Sequence, residues 1–113
     1  MTRNALGQFE QLVLLAILRL GDTAYAPAIL EEIETRTGNP ASPGSMYVTL
    51  DRLEEKGLIR SRLGDASDDR GGRPRRYVSV TAYGVRELRA SRAALLKLWR
   101  GHALDRHNDS GII

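Results

Sequence analysis

The chain has 113 residues, including 17 Lys or Arg and 14 Asp or Glu, so its formal net charge is +3. This length is that of one ordinary domain, which folds without a disulfide or a metal ion, and the absence of cysteine excludes thiol catalysis and cysteine-based zinc sites. A composition of 42% hydrophobic and 27% charged residues is typical of neither a disordered nor a membrane protein, so we expect no membrane partner.

The charged residues are divided unevenly along the chain. Residues 1–55 contain four basic and eight acidic side chains, whereas residues 56–100 contain twelve basic and four acidic ones. A basic segment joined to an acidic one indicates an anionic partner that meets one face of the domain. Surface charge also serves solubility alone, and composition does not separate these two interpretations.

The first predicted element is a helix from about Leu6 to Leu20. It is apolar nearly all round, and such a helix must be covered on two faces. The core of the domain covers one face, and a second subunit is the expected cover of the other. The run Leu12 to Leu20 also resembles a weak secretory signal, but Arg19 interrupts its end. We therefore expect a buried helix in a cytoplasmic protein.

Two short helices follow the first. The second is predicted from about Pro27 to Thr37, and Gly38-Asn39-Pro40 then breaks the chain. Ser42-Pro43 reads as the N-cap and first turn of a third helix, which ends before Gly57. Two short helices joined by a turn of this kind are typical of a helix-turn-helix.

The third helix has two unlike faces. Met46, Leu50 and Leu53 recur at helical spacing and form one inward stripe. A major groove admits a helix whose outward side chains are short enough for the backbone to approach. Outward residues, with base or phosphate contacts as their predicted role, are Ser42, Gly44, Ser45, Val48, Thr49 and Arg52.

After Gly57 the periodicity changes from that of a helix to that of strands. Leu58 to Leu63 and Arg76 to Val80 predict a hairpin with a long, polar, glycine-rich loop. Arginine suits contacts with phosphate or with a narrow minor groove. The arginines that the loop brings to the hairpin are Arg70, Arg73, Arg75 and Arg76. A second interpretation leaves Arg76 solvated on a strand, without a DNA contact.

Thr81 is predicted to cap a fourth helix from Ala82 to about His102, and residues 105–113 lack periodicity and are expected to be frayed. An apolar strip follows this helix and needs a partner, for which the first helix of a second copy has the spare face. We expect a two-fold dimer. The predicted interface residues are Phe9, Leu12, Leu15, Leu88, Leu95, Leu98 and Trp99.

The order of helix, helix, helix, hairpin and helix predicts a winged helix-turn-helix, mainly α with a small β-hairpin. Residues 1–81 are the expected DNA-binding domain, residues 82–104 the dimerisation helix and residues 105–113 a tail. Double-stranded DNA is the expected partner, bound sequence-specifically at a palindromic operator by a dimer.

Two segments resemble the PadR-type transcriptional regulators of bacteria. They run from Gly44 to Ile59, beginning Gly-Ser-Met-Tyr, and from Gly71 to Gly84, containing Gly-Gly-Arg-Pro-Arg-Arg-Tyr and Val-Thr-Ala-Tyr-Gly. The resemblance spans about residues 6–100 and is to the shorter subfamily with one C-terminal dimerisation helix. It implies a homodimeric repressor whose recognition helix lies in the major groove with the Gly-Arg wing beside it.

The resemblance also implies site residues. By position, the recognition tyrosine is Tyr47, and the wing residues are Gly72, Arg73 and Arg75. Family members often place a His-Gly-Tyr-like segment at the start of the second helix, where this chain has Tyr25-Ala26-Pro27. Tyr25 is the expected source of a phosphate contact from this nearby position.

Trp99 has two interpretations. Tryptophan is common at interfaces because it buries a large area, and packing between subunits accounts for it. Alternatively, the paired Trp99 residues line a pocket for a small, flat, apolar aromatic ligand, as in some drug-responsive proteins that the sequence resembles. One sequence leaves both open.

Catalysis and metal binding have little support. His102 and His107 lie near the C-terminal end without a nucleophile motif or a glycine-rich phosphate loop. The acidic loop from Asp65 carries Arg70 and Arg76 where a calcium loop needs Gly and Glu. We expect no enzymatic activity and no cofactor. The alternative to a DNA-binding regulator is a winged-helix adaptor that binds protein instead.

Overall fold

The structure, a computed structural model, describes residues 6–65 and 73–105 of the chain. Within these ranges it contains four α-helices and one antiparallel sheet of two strands. In chain order the elements are α1 Gln8–Leu20, α2 Ala26–Thr37, α3 Pro43–Glu55, β1 Ile59–Leu63, β2 Arg76–Val80 and α4 Ala82–Trp99. The predicted winged helix-turn-helix, mainly helical with one small hairpin, is confirmed.

The helices begin and end at capping residues that satisfy free backbone groups. α3 begins after Ser42, whose Oγ accepts a hydrogen bond from the Ser45 N–H at 3.1 Å. Thr81 caps α4 in the same way, because its Oγ1 accepts from the Gly84 N–H at 3.0 Å. α2 ends at Gly38, whose φ of 76° is one that glycine adopts without strain. These are the caps and the break that the sequence predicts.

α4 ends earlier than predicted. The sequence pattern extends the helix to about His102, whereas the helix ends at Trp99. Arg100 leaves the helical conformation with a ψ of 132°, and Gly101 turns the chain with a φ of 78°. A short 3-10 turn, Ala103–Asp105, follows. Apart from its first residue, the expected frayed tail of residues 105–113 lies outside the described residues.

The core lies where the first three helices meet the hairpin. The largest fully buried side chains come from α1, α2 and α3 and are Val13, Leu14, Ile17, Ile29, Met46, Leu50 and Leu53. Ile59, Val78 and Leu88 join the same cluster from the hairpin and α4. Burying one side chain of this size contributes about 1.5 to 3 kcal/mol to folding. The core therefore packs against one side of α3 and fixes the position of this helix.

α1 keeps an apolar face that this core does not cover. Val13, Leu14 and Ile17 are buried, whereas Leu15 and Leu18 are about half exposed. The spare apolar face expected from the sequence is thus present on the single chain. None of the helices in the described ranges is long and apolar enough to cross a membrane.

The predicted dimer interface is wrong at Leu88. It is buried in the core of its own chain. α4 begins two residues after β2, and its first turns pack against α1 and the hairpin, so the early part of the apolar strip is used within the chain. The later part of the strip, at Leu95, Leu98 and Trp99, is exposed.

Backbone hydrogen bonds join the hairpin to the helices. The two strands pair with Ile59 opposite Val80 and with Leu63 opposite Arg76. The Val78 N–H donates to the carbonyl oxygen of Ala24 at 3.0 Å, which ties β2 to the segment before α2. The hairpin therefore has a fixed position beside the helix-turn-helix.

Candidate nucleic-acid interface

α3 presents a face of small and polar residues away from the core. In its first two turns the exposed residues include Gly44, Ser45, Tyr47 and Val48, and the side chains of Tyr47 and Val48 are 50% and 56% exposed. A Cβ atom on Gly44 would meet open space. In the described part of the chain, no atom lies within 4 Å of that position, apart from the backbone of the same helix and the two neighbouring residues. Arg52, further along α3, is exposed as well. Such a face can approach the floor of a major groove.

Thr49 does not belong to that face, which corrects the sequence-based prediction. Its side chain is only 7% exposed. Thr49 stands three residues after Met46 and four before Leu53, so at 3.6 residues per turn it falls on the inward side. It lines a groove beside Phe9 and Glu10 of α1. Thr49 is therefore buried beside α1 and is not part of the exposed face of α3.

The N-terminal end of α3 carries two exposed serine hydroxyls. Ser42 Oγ accepts from the Ser45 N–H and donates to Ser45 Oγ at 2.9 Å. The first turn of a helix also has unpaired N–H groups and the positive end of the helix dipole, which together favour an anion. Ser42 and Ser45 stand where a phosphate would be stabilised.

A groove of about 850 Å³ separates one edge of α3 from the start of α1. Beside it, the buried Glu10 carboxylate accepts hydrogen bonds from the Gly7 N–H at 2.9 Å and from Lys56 Nζ at 3.0 Å. Burial raises the pKa of Glu10, but the hydrogen bonds from Gly7 and Lys56 and the lysine charge outweigh it, so the pKa lies below its ordinary value. The pair, which the sequence analysis did not predict, joins α1 to the end of α3.

The other edge of α3 faces the hairpin across a groove of about 340 Å³. Tyr47 lines it from α3, Tyr25 from the start of α2, and Pro74 and Arg75 from the hairpin. The guanidinium carbon of Arg75 lies 4.6 Å from the centroid of the Tyr25 ring. A cation–π contact of this kind contributes about 0.5 to 1 kcal/mol at an exposed site. Three predicted DNA-contact residues, Tyr25, Tyr47 and Arg75, are thus brought together.

Tyr25 and Arg75 are half of a stack of four residues. The ring centroids of Tyr25 and Tyr77 lie 5.8 Å apart, and the guanidinium carbon of Arg62 lies 4.6 Å from the Tyr77 centroid. Arg62 and Tyr77 are opposite each other in the hairpin, where cross-strand side chains meet. This stack was not predicted from the sequence, although pairing Leu63 with Arg76 in the predicted hairpin places Arg62 opposite Tyr77.

Arg76 is turned toward α3. Its Nη1 lies 3.0 Å from Asp51 Oδ1, its Nη2 lies 2.6 Å from Glu54 Oε1, and its Nε donates to Ser61 Oγ at 3.0 Å. Hydrogen bonds from Ser61 and then from Arg76 lower the pKa of the Glu54 carboxyl. Burial lowers the pKa of Arg76, but its two carboxylate partners raise it, with a net upward shift. The wing arginine Arg76 is therefore ion-paired within the protein.

The other predicted wing residues have different positions. Arg73 is exposed just before β2, whereas Arg70 and Gly72 lie outside the described residues. Across residues 6–65 and 73–105, no group of three or more His, Asp or Glu side chains is placed to hold a metal ion.

The predicted subunit-contact residues fall into two sets apart from the buried Leu88. Phe9 and Leu12 are partly buried and pack against the core of their own chain. The second set is exposed and consists of Leu15 on α1 with Leu95, Leu98 and Trp99 on α4. A groove of about 480 Å³ between α1 and α4 is lined by Leu15 and Trp99 among others.

Two sequence comparisons show what this chain is similar to. The family model described as the transcriptional regulator PadR-like family matches residues 14–90. An uncharacterized protein of Lysinibacillus sphaericus is 33% identical over 95 residues, which are 82% of this chain and 79% of that protein.

Two solved structures share the fold. A PadR family transcriptional regulator from Eggerthella lenta DSM 2243 is 32% identical, with a TM-score of 0.63 over 80% of this chain and 77% of that chain. A PadR family transcription regulator from Clostridium difficile R20291, 23% identical, has the same fold with a TM-score of 0.61 over 82% of this chain and 99% of that chain. The resemblance carried by the two sequence motifs is confirmed, and the chain belongs to the PadR-like family of transcriptional regulators.

Proposed function

We propose that the protein regulates transcription by inserting α3 into the major groove of double-stranded DNA, with the hairpin on the adjacent backbone. The observation that carries this proposal is the open face of α3, where Tyr47 and Val48 are half exposed and Tyr47 shares a groove with Arg75 of the hairpin. A winged-helix adaptor is not favoured, because the chain belongs to a family of transcriptional regulators.

Each exposed residue has a proposed role. Ser45 and Tyr47 contact phosphate near the N-terminal end of α3, where the helix dipole is positive. Val48 packs on a thymine methyl, and Arg52 contacts a base edge or a phosphate. Arg73 and Arg75 contact the backbone from the wing, and Tyr25 supports Arg75 by stacking beneath its guanidinium.

The functional unit is proposed to be a homodimer that occupies a palindromic operator and represses transcription. Leu98 is 81% exposed and Trp99 is 41% exposed, and large apolar side chains of this kind gain from burial in a second copy. In a two-fold dimer the recognition helices would meet successive major grooves, about 34 Å apart. Residues 1–81 would then bind DNA and residues 82–104 would hold the subunits together.

A small apolar aromatic ligand is proposed to modulate this dimer. Trp99 lines the groove of about 480 Å³ between α1 and α4, together with Leu15, Leu18 and Leu95. A flat ligand stacked on the indole would change how the two copies pack, and hence the spacing of the recognition helices. Quenching of the fluorescence of this lone tryptophan on titration with flat aromatic compounds tests the idea.

The proposed function is tested by recovering the DNA that the protein binds. Purified protein is incubated with fragmented genomic DNA at low salt, bound fragments are sequenced, and the affinity of the enriched site is measured at several salt concentrations. We expect Tyr47→Ala to weaken binding roughly tenfold, while Thr35→Ala, on the exposed surface of α2, leaves it unchanged. Absence of any DNA binding at about 50 mM salt, where electrostatic binding is strong, would exclude the proposal.

A further inference from the structure

The wing arginine Arg76 uses all three of its guanidinium nitrogens inside the protein. Asp51 and Glu54 on α3 and Ser61 on β1 accept its hydrogen bonds, and the side chain is 30% exposed. Ser61 Oγ in turn donates to Glu54 Oε1 at 2.6 Å, so one carboxylate oxygen holds both partners. The planar fork of arginine meets several acceptors at once, which the point charge of lysine does not. Arg76 is thus fixed between the hairpin and α3.

The two carboxylates that Arg76 holds lie on the DNA-facing helix. Tyr47, Asp51 and Glu54 stand at i, i+4 and i+7, so they occupy one strip about 60° wide at roughly 100° per residue. The cation of the helix itself, Arg52, lies about 100° around from Asp51, at the other edge. Two unbalanced carboxylates beside Tyr47 would repel DNA phosphates.

We propose that Arg76 is a positioning residue for DNA recognition, which cancels the charges of Asp51 and Glu54 and holds the hairpin against α3, and which makes no phosphate contact itself. This inference rests on the proposed function, because it takes α3 to be the helix that meets DNA. It divides the wing arginines into two classes. Arg73, exposed before β2, belongs to the phosphate-contacting class.

The test measures affinity and salt dependence for the DNA site recovered with the wild-type protein. Three variants are compared with it: Arg76→Gln, the double variant Asp51→Asn with Glu54→Gln, and the triple variant that combines them. Arg73→Gln serves as the matched control, because it removes an exposed arginine three residues earlier, just before β2. Each protein is first examined by circular dichroism and thermal unfolding.

We expect Arg76→Gln to weaken binding roughly tenfold, because it leaves two carboxylates unbalanced. The triple variant should bind within about twofold of the wild type and keep its slope of log affinity against log salt, whereas the double variant, in which Arg76 is freed, should bind no more weakly than the wild type. Arg73→Gln should reduce the magnitude of that slope by about 0.9, as expected for one lost phosphate contact.

The comparison of the triple variant with the wild type decides the question even if Arg76→Gln alone fails to fold, since the triple variant contains neither an unbalanced carboxylate pair nor an arginine freed from its partners. A slope smaller in magnitude by about 0.9 in the triple variant than in the wild type would assign Arg76 a phosphate contact and overturn the proposal. Unchanged affinity in a folded Arg76→Gln protein would overturn it too, while leaving the proposed function intact. If the wild-type protein binds no DNA, the proposed function fails and this role fails with it.

Discussion

Gly84 is predicted to be irreplaceable although it lies in a helix. A Cβ at this position would stand 2.3 Å from the carbonyl oxygen of Leu58 and 2.6 Å from Cγ1 of Val80. The Leu58 oxygen does not move away freely, because it accepts a hydrogen bond from the Thr81 N–H at 3.0 Å. The close approach is what lets α4 begin directly after the hairpin.

Helix propensity and packing give opposite expectations for Gly84→Ala. Alanine is favoured over glycine inside a helix by about 1 kcal/mol, so propensity alone predicts a more stable protein. Overpacking against backbone costs up to about 3 kcal/mol, and it wins here because the clash is with a carbonyl that is already bonded. We expect a net destabilisation of about 2 kcal/mol, or a fall in Tm of about 8 °C at roughly 4 °C per kcal/mol.

Gly44→Ala is the matched control for Gly84→Ala. Gly44 also lies in the first turn of a helix, but its Cβ would meet open space. We expect it to raise stability by about 0.5 kcal/mol, within the range of helix propensity. Thermal and urea unfolding of both variants measure the difference. A Gly84→Ala protein as stable as the wild type would refute the packing argument.

Three further predictions concern the ion pair, the stack and the dimer. The pKa of Glu10 is lowered from 4.5, so its ion pair with Lys56 stabilises the fold above pH 4.5, and this stabilisation is lost as the pH falls through the lowered pKa. Glu10→Gln should therefore lower the free energy of unfolding by about 1 kcal/mol at pH 7 and by less in acid. Tyr25→Phe should bind DNA within about twofold of the wild type whereas Tyr25→Leu should bind several-fold more weakly, because the ring supports Arg75. Leu98→Glu should give a monomer in light scattering, whereas Leu63→Glu, at another largely exposed leucine, in the hairpin, should leave the mass unchanged.

Each of these three predictions has an outcome that would contradict it. A constant effect of Glu10→Gln from pH 7 to pH 3 would show that the charge of the carboxylate is not what stabilises. Equal loss of DNA affinity in Tyr25→Phe and Tyr25→Leu would assign the hydroxyl a direct phosphate contact. A Leu98→Glu protein that keeps the mass of the wild-type dimer would place the subunit contact elsewhere.

Local chemistry was enough to predict the order and type of the elements. Ser42 and Thr81 cap helices because their hydroxyls reach a backbone N–H three residues on, and this needs no distant partner. The change from a period of 3.6 to a period of 2 after Gly57 is equally local. The winged helix-turn-helix and the outward position of Val48 follow from such patterns.

The tertiary structure decided which side of a helix each borderline residue occupies. Thr49 lies at the margin of the inward stripe, and the position of α1 buries it. Leu88 shares a strip with Trp99 in sequence, but α4 packs its first turns on its own core and leaves the later turns exposed. Periodicity assigns a direction around the helix axis, and only neighbouring elements determine what lies in that direction.

The ion pairs of Arg76 could likewise not be predicted from the sequence. Arg76 stands 22 and 25 residues from Glu54 and Asp51, and within a run of arginines nothing local separates it from Arg73. Because ion pairing depends on distances of a few ångströms between side chains far apart in the chain, composition locates the basic segment but not its free charges. The hairpin register and its docking on α3 turn one wing arginine inward.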